Sequence, residues 1–167
     1  IDGINQMCEA NDIDLIVMGT KGATGAERVI FGSNTVRVMQ RCKTPVLAIP
    51  EKCKYKGLSN IVFASDYLSK YKEDELDALL YFANRYRSKV DVLHMMKTKE
   101  LTQTEKENKK HIEKLLSGIN SEFVDIESDD LYETVQQYIQ DNHIDLLAMS
   151  SKRHSFIDRL FNRHNVE

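Results

Sequence analysis

The chain has 167 residues, 41% hydrophobic and 29% charged, with a formal net charge of −3. That size holds one ordinary α/β domain with a real core, or one and a piece of another, and the composition is globular, not disordered. The charge gives no electrostatic case for nucleic acid as a main partner, and no apolar run approaches the roughly 20 residues that span a bilayer. A cytoplasmic protein is expected. The chain opens on Ile1 with no signal-peptide pattern, so a fragment of a longer protein is expected.

In chain order, Ile4, Met7 and Cys8 have helical spacing and Asn11 suits a helix end. Residues 13–18 are mostly apolar and of buried-strand length. Ser33 is placed to cap a helix over 33–42, with Val36 and Met39 facing inward. Pro45 stops it, and 46–49 is a short strand closed by Pro50. Residues 51–59, EKCKYKGLS, form a polar, lysine-rich linker.

A second series follows. Strands are expected over 60–64, 90–95, 122–126 and 144–149, and helices over 73–87, 104–116 and 131–141. Leu76, Leu79, Leu80, Ala83 and Tyr86 line one side of the first of these helices. The run 106–114 reads as a solvated helix face. Alternating β and α units with short buried strands imply an α/β fold, an open parallel sheet covered by helices on both faces.

The chain also repeats itself. At an offset of 131 residues, Asn11-Asp12-Ile13-Asp14-Leu15 matches Asn142-His143-Ile144-Asp145-Leu146, and Met18 falls on Met149. The organisation expected is therefore the C-terminal part of one domain (1–50), a linker (51–59) and a second domain (60–167) lacking its final helix and strand. Ligands of open sheets bind beyond the carboxyl ends of the strands, and both Gly19 and Asp66 lie at such ends.

Gly19, Gly22, Gly32 and Ser33 form G-x2-G-x9-G-S directly after a strand, with a helix starting at the last pair. Glycines permit positive φ and let backbone N–H groups approach phosphate oxygens. A helix start adds unpaired N–H groups and a favourable dipole end, Ser33 offers a hydroxyl, and Lys21 and Arg28 could supplement the charge. There is no G-x-x-x-x-G-K-[ST] and no G-x-G-x-x-G with a distant acidic partner.

This loop, with the flanking IDLIVMG and TPVLAIP and the later NIVFASDY, resembles the universal stress protein family. The resemblance implies a Rossmann-like, tandem arrangement that binds ATP or a related adenine nucleotide, with or without Mg, as a stress-response sensor and interaction protein. It implies that Met18, Gly19, Gly22, Gly32, Ser33 and Asn34 hold ribose and triphosphate, and that Asp66 matches the adenine-contacting Asp, though of the other domain. Val92 and Leu93 fall on the strand whose end borders the base. The edge strand 46–49 is implied in pairing, as a homodimer or between domains of one chain. In the second copy Gly19, Gly22 and Gly32 become Ser150, Arg153 and Arg163, so that site is expected to be degenerate.

Plainer readings stand beside these. Asp66 reads first as a strand-end turn residue; the alternative is a composite site that joins 19–33 to Asp66. The five histidines read as surface residues, with no metal-ligand spacing, and Lys152 to His164 as the basic opening of a helix. Cys8, Cys42 and Cys53 form neither a zinc spacing nor a disulfide framework and read as buried or semi-buried free thiols. No catalytic residue stands out. The functional alternatives are a slow ATP hydrolase and an interaction module without ligand.

Overall fold

The computed structural model describes residues 1–20, 32–96 and 100–150. Its described residues group into two compact units, Ile1–Tyr55 and Lys56–Ser150.

In the first unit, helix α1 (Asp2–Ala10) leads to strand β1 (Ile16–Gly19), and helix α2 (Ser33–Arg41) to strand β2 (Val46–Ile49). The two strands pair in parallel, Ile16 opposite Val46 and Gly19 opposite Ile49. Strand β1 starts three residues later than its apolar run suggests. Asn11 Nδ2 donates to the Met7 carbonyl at 2.9 Å, Asp12 takes φ 50°, and the Ile13 N–H donates to Cys8 O at 3.0 Å. This corner ends α1 and consumes 13–15. Helix α2 buries Thr35 and Val38 and ends on buried Cys42, a stripe at i, i+3 and i+7. Val36 and Met39, expected inside, are only half-buried.

The second unit is a four-stranded, all-parallel sheet in the order β5-β4-β3-β6. Its strands are β3 (Asn60–Ala64), β4 (Lys89–Met96), β5 (Ser121–Glu127) and β6 (Leu146–Met149). They alternate with α3 (Asp77–Tyr86), α4 (Gln103–Leu115) and α5 (Leu131–Asp141). Strand β3 pairs with β4 on one side and β6 on the other, so the strand order reverses there. Ile61, Val62, Phe63 and Ala64 are all buried, as a central strand covered on both faces requires. Around them pack Leu76, Leu79, Ala83, Val90, Val92, Ile112 and Leu116.

The expected helix over 73–87 divides into a 3-10 turn, Glu73–Leu76, and α3. Arg87 takes φ 54° and ends it, and Tyr86 is 42% exposed, off the buried side. At the end of α5 the corner of the first unit recurs. Asn142 Nδ2 donates to Tyr138 O at 3.1 Å, His143 takes φ 50°, and the Ile144 N–H donates to Ile139 O at 3.0 Å. Like β1, β6 therefore starts late. Asp145 then accepts the Ser59 and Asn60 N–H groups at 2.8 and 3.0 Å, fixing the start of β3 against β6.

Helix α4 is opened by a reciprocal cap: Thr102 Oγ1 accepts the Glu105 N–H, and the Glu105 carboxylate accepts the Thr102 N–H at 2.7 Å. Burial pushes the Glu105 carboxyl up, but the Thr102 hydroxyl and N–H, with His94 nearby, outweigh it and hold it below its ordinary 4.5. A group lowered in the fold stabilises above its unfolded value, and that contribution is lost as pH falls through the folded one. Glu105→Gln should therefore cost about 1 kcal/mol at neutral pH, and urea titrations should show this gap closing as pH drops below 4.5. A gap that stays constant with pH would show that the carboxylate charge contributes nothing.

Candidate functional site

The glycine-spaced segment leaves the carboxyl end of β1 and rejoins described chain at the start of α2. There, the Thr20 N–H donates to Ile49 O at 3.2 Å, the Gly32 N–H donates to Thr20 O at 2.9 Å, and Thr35 Oγ1 donates to Gly19 O at 3.1 Å. Thr20 and Thr35 are buried. These bonds hold the N-terminus of α2 against the strand end. The first N–H groups of a helix have no partner within it, so the arrangement gathers backbone donors at one place, where the helix dipole also favours an anion.

Within this frame Met18 is half-buried on β1, Gly19 is its exposed last residue, Gly32 caps α2, Ser33 is its first residue and Asn34, next in line, is exposed. Gly22, Lys21 and Arg28 lie outside the described residues. Ser33 is the first residue inside the helix, so the capping position expected for it belongs to Gly32. The reason for glycine also changes. Gly32 has φ −56°, open to any residue, and positive φ among the described glycines occurs at Gly57 and Gly118. At Gly19 an added Cβ would meet no described atom within 4 Å. Packing of the described residues therefore leaves space beside Gly19, which is what close approach of a ligand to its backbone requires.

Asp66 belongs to the second unit. Its Oδ1 accepts the Leu68 N–H at 3.0 Å, which makes it a turn-forming residue just past β3. At the same sheet end lies a polar cluster that the sequence did not announce. His94, on β4, is 2% exposed, against the surface position expected for it. Its Nδ1 meets Asp125 Oδ1 at 3.1 Å, and its ring stacks on Tyr67 with centroids 4.1 Å apart. Lys109 Nζ bonds Asp125 Oδ2 at 2.7 Å and lies over the Tyr67 and Phe123 rings. The buried Asn108 donates to Tyr67 O at 2.7 Å and supports its φ of 50°. Burial, then the Asp125 charge, pushes the Tyr67 phenol well above its ordinary value. His94 and Asp125 are register partners across β4 and β5, a pairing that the sequence of neither strand signals by itself. Nor is His111 a surface histidine: it is half-buried, its Nε2 within 2.7 Å of Tyr71 O. Within 106–114, Asn108 and Ile112 are buried, so that helix is solvated on one side only.

Among the described residues no three or more His, Cys, Asp or Glu side chains are grouped to hold a metal ion, and no helix is long and apolar enough to cross a membrane. The expected degenerate counterpart of the loop begins at Ser150 and continues beyond the described residues.

Comparison with known proteins gives this geometry a context. Residues 1–50 match the Universal stress protein family. Over 51 residues the chain is 43% identical to universal stress protein MJ0531 of Methanocaldococcus jannaschii, a match covering 30% of each chain. The fold is similar to that of a universal stress protein from Archaeoglobus fulgidus, with a TM-score of 0.67 at 16% identity, over 99% of this chain and 62% of the other. The architecture is thus the α/β fold of a universal stress protein, and its first 50 residues carry that family's sequence pattern. The chain spans less than two thirds of the length of either relative.

Proposed function

We propose that this chain is part of a tandem universal stress protein that binds ATP or a related adenine nucleotide at the β1–α2 junction and acts as a stress-response sensor and interaction protein, not as an enzyme. One observation carries this reading: the hydrogen bonds from Gly32 to Thr20 and from Thr35 to Gly19 set a helix N-terminus beside a glycine with open space at its Cβ position. Gly19 would let the phosphates approach its backbone, and Gly32, its N–H held by Thr20 O, would set the start of α2 beside it. Ser33 and Asn34 stand on the turn whose N–H groups would face them. Met18 would border the ribose. The nucleotide would supply the charge that such a nest of N–H groups recognises.

An interaction role without ligand is the second reading, favoured by Val17 and Ile49, which are 62% and 39% exposed on β1 and β2. In the proposed reading β2 would pair domains, within one chain or between two copies. Assay of nucleotide co-purifying with the full-length protein distinguishes these possibilities. Bound ATP that stays intact over hours supports the sensor. Accumulating ADP or AMP supports a slow hydrolase, and protein free of nucleotide that also fails to take up added ATP supports the interaction module.

A further inference from the structure

Helix α1 and the end of α2 are fastened together at two points. Asn5 Nδ2 donates to the Arg41 carbonyl at 3.2 Å, and Lys43 Nζ meets Glu9 Oε1 at 2.9 Å. Positions i, i+3 and i+4 share one helix face, so Asn5, Cys8 and Glu9 look the same way. Cys8 thus lies on the face that reaches Arg41 and Lys43, and Cys42 is the residue between those two. Both cysteine residues are 7% exposed. Cys8 also lines an open, mainly apolar groove with Ile4, Met7 and Ile13, whereas Cys42 ends α2 with extended backbone. Burial, then the neighbouring Cys8, pushes the Cys42 thiol above its ordinary value.

We infer that Cys8 and Cys42 form a peroxide-responsive thiol pair, closing to a disulfide within the first unit. Cys8, on the groove, meets the oxidant first. Its thiolate attacks one oxygen of a hydroperoxide, the O–O bond breaks, and water or an alcohol leaves a Cys8 sulfenic acid. The Cys42 thiolate then attacks the Cys8 sulfur. The S–S bond forms, the S–O bond breaks, and hydroxide departs as water with the Cys42 proton. Two thiols give up two electrons and two protons, and the peroxide is reduced. Cys53, exposed, stands outside the pair.

The test is hydrogen peroxide added to the folded full chain carrying Cys53→Ser, followed by alkylation in urea and peptide mass mapping. The expected product has lost about 2 Da, the two hydrogens of a disulfide, and joins the Cys8 and Cys42 peptides in a link that a reducing agent reverses. In the folded chain the link should follow oxidation of Cys8 without accumulation of a Cys8 oxyacid, because Cys42 is held beside it. With Cys42→Ser also present, Cys8 should stop at an oxyacid. The inference is overturned if Cys8 of the Cys53→Ser chain gains oxygen while Cys42 remains alkylatable. It is equally overturned if both thiols survive treatment that links the unfolded chain.

Discussion

Phe63→Ala should destabilise the second unit by about 3–5 kcal/mol, read as a lower urea midpoint at unchanged slope. Phe63 is 2% exposed in the middle of β3, the strand with neighbours on both sides, and meets Tyr71 edge-on with ring centroids 5.5 Å apart. Truncation removes the transfer energy of the ring and leaves a cavity that flanking strands cannot close. Against an ordinary domain stability of about 5–15 kcal/mol, this is a large fraction of the total. The same truncation at Tyr81, which is 64% exposed, should cost far less. Similar costs at the two positions would mean that β3 is not the centre of the core.

Asp125→Ala should cost about 2–3 kcal/mol, below the value for a fully buried pair because both charged partners are about one-fifth exposed. The substitution leaves Lys109 without its 2.7 Å carboxylate and removes the partner of the buried His94. The main penalty is the uncompensated charge of Lys109 among the Tyr67 and Phe123 rings. Adding Lys109→Met removes that charge while keeping the apolar stem. The double variant should therefore be more stable than Asp125→Ala alone, a coupling that a double-mutant cycle measures. Strict additivity would show that the two side chains do not act as a pair. The Tyr67 phenol, raised partly by Asp125, should titrate lower in the single variant.

What the sequence conveyed follows from how local each signal is. Asn60–Ala64 and Leu131–Asp141 occur where apolar periodicity and flanking polar residues place them. The shared Asn-Asp and Asn-His corners showed the repeat, but not that a left-handed residue there delays β1 and β6. Helical spacing predicts one helix over 73–87, but its start is a 3-10 turn, which shares much of the apolar spacing of an α-helix. The burial of His94 is not legible in its own segment, because it depends on Asp125, 31 residues away on the next strand, and on Lys109 from a helix. Cross-strand register is not written in the spacing of either segment. The glycine spacing points to the β1–α2 junction, where Gly32 has φ −56°, open to any residue, and the described residues leave space beside Gly19 for backbone approach.

The most direct test is calorimetric titration of ATP into the full chain and into Gly19→Val. The proposed site predicts saturable binding to the natural sequence, weakened at least about tenfold, or some 1.4 kcal/mol, by the valine. The new Cβ meets no described atom within 4 Å, and an unchanged urea midpoint of the variant would show that the loss is one of binding and not of fold. ATP bound equally well by both chains, or by neither, would contradict a phosphate site at the β1–α2 junction.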